Sequence, residues 1–280
     1  MENNKIIVAN FKMNHSFEEV EKWLNLFSEK IKNIKNLPQI VVCPSAILID
    51  YLDELLLNSE LEILEKNGQD LDKLDYSKIE ELTNSIRKIH VGGQDCHYKE
   101  NGAFTGDISP KMLFDAGCKF VILGHSERRK NHFESNKVVQ AKVINALKFG
   151  LTPIVCIGEN LDLRKENKFL DFIKEQIENS LPKSEIENLI IAYEPIWSIG
   201  TGQVPSVGQI AEIADFIIAS IRKNSTFKIK NIRILYGGST NSANAASIMA
   251  IKNISGLLVG GASLNAEEFA AMTNLVANPN

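Results

Sequence analysis

No C-x-x-C pair occurs in this sequence. Its four cysteines, Cys43, Cys96, Cys118 and Cys156, are scattered singly along 280 residues, which leaves neither a disulfide framework nor a zinc site of ordinary ligand spacing. Cys96 next to His97 has no second pair to complete a site, so the thiols are read as buried or free and no metal is expected. An excess of positive charge is also missing. With 31 Lys and Arg against 35 Asp and Glu the formal net charge is -4, and the chain lacks the basic field that tracks a nucleic-acid backbone. No apolar run approaches a membrane span. The run at Ile6 to Ala9 is broken by Asn10 and Lys12 and is too short for the core of a secretory signal, so a cytoplasmic protein is expected. Nor does a Pro-, Ser- or Gly-rich linker divide the chain.

What is present is an ordinary globular composition, 44% hydrophobic and 24% charged, and eight short β-branched runs: Ile6 to Ala9, Ile40 to Cys43, Ile89 to Val91, Phe120 to Leu123, Ile154 to Ile157, Leu189 to Tyr193, Ile232 to Tyr236 and Leu257 to Val259. They are continuous rather than alternating, as expected of parallel strands covered on both faces. Segments of helical period lie between most of them, such as Phe17-Val20-Trp23-Leu24-Phe27-Ile31 and Ile210-Ile213-Phe216-Ile217-Ile221. Eight β-then-α units without a linker predict an α/β fold, one closed (β/α)8 barrel domain over residues 1–280. One interval is out of step: the third run starts roughly 50 residues after the second, against roughly 30 elsewhere. The surplus, Asn58 to Lys88, keeps apolar positions at Leu61, Leu64, Ile79, Leu82 and Ile86. It is read as a helical insertion between helix 2 and strand 3, the alternative being a solvated flexible segment. A helix is expected to start near Ser77, where Ser77-Lys78-Ile79-Glu80 has the form of a capping box, and to rest on the barrel's lower rim. A turn is expected at Asn67 to Asp70.

In such a barrel the loops after the strands build the active site. Glu194 closes the sixth run and is followed by Pro195-Ile196-Trp197-Ser198-Ile199-Gly200-Thr201-Gly202, the pattern of a lid with a carboxylate at its hinge. Desolvation there would raise the basicity of Glu194, which suits proton abstraction beside a carbonyl; the competing reading is a surface glutamate on an ordinary loop. His125 ends the fourth run and is able to polarise a carbonyl. Lys12 places a cation at the same mouth. Gly237-Gly238-Ser239 and Gly260-Gly261 follow the seventh and eighth runs, where backbone N–H groups commonly bind phosphate. For Arg128 and Arg129 in Glu127-Arg128-Arg129 a solvated charge run stays open as an alternative, and His15, His90, His97 and His132 read as structural or surface residues.

Six stretches, Asn10-Phe11-Lys12, Gly102-Ala103-Phe104-Thr105-Gly106, Gly124-His125-Ser126-Glu127-Arg128-Arg129, Ala192-Tyr193-Glu194-Pro195-Ile196-Trp197, Tyr236-Gly237-Gly238-Ser239 and Gly260-Gly261-Ala262-Ser263, in this order, resemble the triosephosphate isomerase family. The resemblance implies interconversion of dihydroxyacetone phosphate and D-glyceraldehyde 3-phosphate through an enediolate, in glycolysis and gluconeogenesis, without cofactor or metal. It implies that Glu194 is the proton-shuttling base and His125 the neutral electrophile, with Lys12 and Asn10 binding substrate and Glu127 lying near the lysine. Gly200, Ser239, Gly260 and Gly261 match positions that grip phosphate, Gly200 within the closing lid. The family's protruding third loop, here Gln94 to Gly106, implies a homodimer. Departures are Phe11 where many members have Trp, Ser198 where the lid usually has Ala, Gln203-Val204-Pro205 at the far hinge, and Gly92-Gly93-Gln94-Asp95 before the third loop. A barrel aldolase with a Schiff-base lysine is a rival within enzymes, but none of the core runs carries a lysine. A silent phosphate-binding scaffold would be expected to lose Glu194, His125 or Lys12.

Overall fold

The computed structural model describes residues 5–199 and 203–279. All eight runs are strands: β1 (Ile6–Asn10), β2 (Gln39–Cys43), β3 (Ile89–Gly93), β4 (Phe120–Leu123), β5 (Thr152–Ile157), β6 (Glu185–Tyr193), β7 (Lys228–Tyr236) and β8 (Gly256–Val259). They pair in parallel in sequence order and close through β1 and β8. Between them run α1 (Phe17–Ile31), α2 (Ile49–Lys66), α3 (Tyr76–Ile86), α4 (Pro110–Asp115), α5 (Ser126–Asn131), α6 (Asn136–Lys148), α7 (Leu161–Lys165), α8 (Phe169–Ser180), α9 (Val207–Lys223), α10 (Ser242–Met249) and α11 (Ala266–Ala277).

Side chains on a strand alternate between faces, and here the two faces bury into two separate cores. Ile6, Val8, Val41, Cys43, Ile122, Ile154, Cys156, Ile190 and Leu235 fill the barrel interior. Ile7, Ala9, Ile40, Val42, Val121, Val155 and Ile191 face the helices. This is why the runs are apolar throughout. All four cysteines are free and buried. On the outside, α1 starts at a capping box between Ser16 and Glu19 and buries one stripe, Val20, Trp23, Leu24, Phe27 and Ile31. Trp23 stacks on Phe27 at 4.7 Å, and Phe11, fully buried, meets Trp23 edge-on at 5.0 Å. The Phe-for-Trp departure is thus absorbed within aromatic packing.

The segment 58–88 is ordered and largely helical, with two corrections. Leu61 and Leu64 lie in a helix as expected, the C-terminal part of α2, which runs unbroken to Lys66 and ends in the expected turn through Asn67 and Gly68, whose φ of +85° favours glycine. The helix expected near Ser77 is capped two residues earlier, by the Asp75 carboxylate accepting from Lys78 N at 2.8 Å, so the Ser77–Glu80 box does not form. An ionised carboxylate is the stronger acceptor, and Ser77 lies inside the helix instead. The stripe Ile79, Leu82 and Ile86 is only half-buried, and α3 packs on α2 rather than on the barrel rim. A buried ion cluster secures this pair of helices. Arg87 clamps Glu60 through Nε and Nη2 at 2.9 Å each and reaches Asp53 through Nη1 at 2.6 Å.

Candidate active site

At the C-terminal ends of the strands lies a cavity of about 510 Å³ lined by Asn10, Lys12, His125, Glu127, Glu194, Ser239, Gly260 and Gly261. Residues from five strand ends, far apart in sequence, therefore share one space. Ile199 and Val204 line it as well. Gly200 lies outside the described residues.

Glu194 follows the last residue of β6 and is 2% exposed. Its Oε2 accepts from Ser126 N at 2.9 Å, and its Oε1 stands 2.9 Å from His125 Nε2. Oε1 is buried and has no other donor than the imidazole beside it. His125 caps α5: its Nδ1 accepts from Glu127 N at 3.2 Å, which fixes the tautomer with the proton on Nε2, facing Glu194. Burial opposes a charged imidazole, yet the adjacent Glu194 carboxylate outweighs it and raises the His125 pKa above the ordinary value. The same pairing corrects the expectation for Glu194. Burial does push its pKa up, but His125 and the Ser126 N–H prevail and hold it below the usual carboxylate range. Desolvation alone would raise its basicity; these two partners cancel that effect here.

Lys12 adopts φ +53°, a left-handed conformation that costs a non-glycine residue roughly 1 kcal/mol or more. Both of its backbone groups are held: Asn10 Oδ1 accepts its N–H at 3.0 Å, and Gln94 Nε2 donates to its C=O at 2.7 Å and to Cys43 O at 3.0 Å. The ammonium meets Glu127 Oε1 at 2.5 Å. At the other end of the cavity Gly261 opens a short 3-10 turn to Leu264, so its N–H has no carbonyl of that turn to bond. Ser263 ties the turn back to Gly260 O through N and Oγ, and Trp23 Nε1 holds Ser263 O at 2.8 Å. A Cβ on Gly260 would stand 3.1 Å from Lys12 Cε. At Gly158 a Cβ would fall 1.7 Å from Glu194 O, so only glycine lets the backbone just after β5 lie against Glu194 at the end of β6.

Sequence reasoning missed several supporting residues. Gln94 is the first residue after β3 and Glu159 the second after β5, so the rule that strand ends carry chemistry would have found both. Glu159, fully buried, accepts from Tyr193 OH at 3.1 Å and Trp197 Nε1 at 3.0 Å, anchoring the segment after Glu194. Arg128 and Arg129 are not a solvated run. Arg128 Nε bonds Glu134 at 2.6 Å and meets Asp95 at 2.9 Å, and Lys142 joins both acids in one buried cluster. Arg129 bonds Gly124 O, Asn136 and Cys156 O. Among the described residues, no three His, Cys, Asp or Glu side chains come together as a metal site, and no helix is long and apolar enough to cross a membrane.

The chain matches the profile of the family described as triosephosphate isomerase over residues 5–75 and 72–276; the two pieces meet between α2 and α3. A triosephosphate isomerase of Shewanella frigidimarina is 36% identical over 273 residues, spanning 96% of each chain. One of Brucella melitensis is 47% identical over 191 residues, 68% of this chain and 75% of the relative. The crystal structure of triosephosphate isomerase from Bartonella henselae superposes with a TM-score of 0.77 at 33% identity, covering 97% of this chain and 98% of that one. A closed eight-stranded barrel, a carboxylate and an imidazole facing each other across its mouth, and this full-length similarity agree: the chain belongs to the triosephosphate isomerase family.

Proposed function

We propose that Glu194, His125 and Lys12 carry out the interconversion of dihydroxyacetone phosphate and D-glyceraldehyde 3-phosphate, with Asn10 placing Lys12 and with Ser239, Gly260, Gly261 and Gly200 holding the phosphate. The observation that carries this reading is the buried Glu194 carboxylate, 2.9 Å from His125 Nε2, in a cavity whose far end is lined by Ser239, Gly260 and Gly261. Substrate carbonyl oxygen takes the place of Glu194 in front of Nε2, and the carboxylate moves off Ser126 and His125 onto the carbon. Freed from these partners, it is governed by burial and becomes the stronger base that the first step requires. It removes a proton from C1 of the ketose and returns it to C2, while the hydroxyl proton passes between the two oxygens beside His125. Once Glu194 has left, burial and the helix N-terminus keep the imidazole neutral, so it serves as a hydrogen-bond donor. Lys12 supplies the fixed positive charge for the enediolate.

Homodimerisation through the loop Gln94 to Gly106 is supported by the exposure of Met13 (95%), which lines a crevice of about 420 Å³ beside that loop, and of Ile47 (76%) and Phe133 (88%), the sequence neighbours of its lining residues Ala46 and His132. The absence of a membrane-crossing helix among the described residues is compatible with action in the cytoplasm, in glycolysis and gluconeogenesis. A coupled assay tests the function. Glyceraldehyde 3-phosphate should be converted to a product that an NADH-dependent glycerol-phosphate dehydrogenase reduces, at a rate unaffected by a chelator. No turnover by folded protein would refute it.

A further inference from the structure

Ser198, where family members usually carry alanine, is the last residue of the 3-10 turn Ile196–Ser198 and is fully buried. Its hydroxyl lies between two groups of the β7 end. Oγ is 3.5 Å from Tyr236 OH and accepts from Ser239 N at 3.4 Å. In return, Ser239 Oγ donates to Ser198 O at 2.6 Å. Asn244 Nδ2 bonds Ser239 O at 3.2 Å, fixing the loop from its other side. Ser239 faces the cavity and Ser198 follows Glu194 by four residues. The hydroxyl thus joins the segment that carries the base to the loop assigned to phosphate.

We infer that Ser198 Oγ is an internal stand-in for a phosphate oxygen: it occupies the Ser239 N–H in the substrate-free protein and yields it to the incoming phosphoryl group. The inference rests on the proposed phosphate site at Ser239. Three features support it. The N–H, on a half-buried wall of the cavity, has a partner in the substrate-free protein and remains reachable by an incoming ligand. The bond is long, and a charged phosphate oxygen accepts about twice as strongly as a hydroxyl. The displaced hydroxyl also keeps a partner, because Tyr236 OH stands on its other side and, pushed up to about 12 chiefly by burial, stays a neutral donor. Phosphate binding is thereby linked to release of the turn that follows Glu194, a link a methyl side chain at 198 would not provide.

The test uses inorganic phosphate as competitive inhibitor of the intact protein. Ser198→Ala leaves the Ser239 N–H unoccupied, so the phosphate Ki and the KM for glyceraldehyde 3-phosphate should both fall, by about threefold to tenfold for one neutral hydrogen bond no longer given up. Ser198→Thr, which restores the hydroxyl, should return both toward wild type; circular dichroism verifies that each variant is folded. A Ki in Ser198→Ala that is unchanged or higher would overturn the inference, since a purely structural hydroxyl would leave binding alone or weaken it on removal. Ser239→Asp separates the two levels. Its carboxylate should repel phosphate, and a wild-type Ki in that variant would refute the phosphate site itself, whatever Ser198 does.

Discussion

Replacing Arg87 by methionine tests how the segment between α2 and β3 is held. Arg87 and Glu60 side chains are each 8% exposed and Asp53 is 23% exposed, with three of the guanidinium's hydrogen bonds on Glu60 and one on Asp53. Burial already raises the Glu60 pKa despite Arg87. Without the guanidinium, a buried carboxylate faces Asp53 uncompensated, and breaking a buried pair from one side costs about 3–5 kcal/mol. Arg87→Met should therefore lower the stability read from urea unfolding at pH 8 by about that much. A carboxyl whose folded pKa lies above its unfolded one gives stability at low pH that is lost as pH rises through the folded value. The deficit of Arg87→Met should accordingly shrink as pH falls through the raised Glu60 value and the carboxylate takes up a proton. Glu60→Leu with Arg87→Met removes both charges; Asp53 rehydrates, and stability should return to within about 1.5 kcal/mol of wild type. Since this α-to-β connection enters β3 at the end opposite the cavity, kcat/KM should stay within about twofold throughout. A cost below about 0.5 kcal/mol in Arg87→Met, or a double variant no better than the single, would refute the buried-charge reasoning.

At the phosphate end, Gly260→Val brings branched carbon onto Lys12 Cε and over the neighbouring N–H groups; KM should rise more than about tenfold in a folded variant, and an unchanged KM would move the phosphate site. His90 is lowered to about 4, by burial first and then by Arg87 and Lys119. Its depressed pKa contributes stability that is present above pH 6.5 and lost as pH falls to 4, by at most about 3 kcal/mol; His90→Phe should flatten this acid limb in urea titrations, and an unaltered slope would contradict it. Thr105→Arg places a charge at the tip of the loop Gln94 to Gly106, and sedimentation at low micromolar concentration should show monomer; a persisting dimer would show that the interface is elsewhere.

The strands were legible because the barrel buries both faces of each, which leaves apolar runs no helix or loop would show. Their limits were less so: Glu185 to Asn188 and Lys228 to Asn231 extend β6 and β7 as a ribbon whose charged residues alternate, Lys230 meeting Glu187 at 2.6 Å. These look like loop in sequence, and only the pairing makes them strand. The Ser77 box failed because two acceptors competed for one helix start, and local pattern does not rank Asp75 against Ser77. Glu194, His125 and Lys12 stood out by position at strand ends. The protonation behaviour of Glu194 did not, since it depends on His125 and Ser126, which approach from a strand 68 residues away in sequence.

The most direct test is turnover of dihydroxyacetone phosphate in D2O by wild type and Glu194→Gln, followed by NMR of the product trapped as the acid. Wild type should place deuterium at C2 of the glyceraldehyde 3-phosphate formed, because the carboxyl proton held between the two carbons exchanges with solvent. Glu194→Gln keeps the side chain's size but has no basic oxygen, and turnover should fall at least ~1000-fold with little change in KM. Near-normal turnover with deuterium at C2 in folded Glu194→Gln would contradict the assignment of Glu194 as the base.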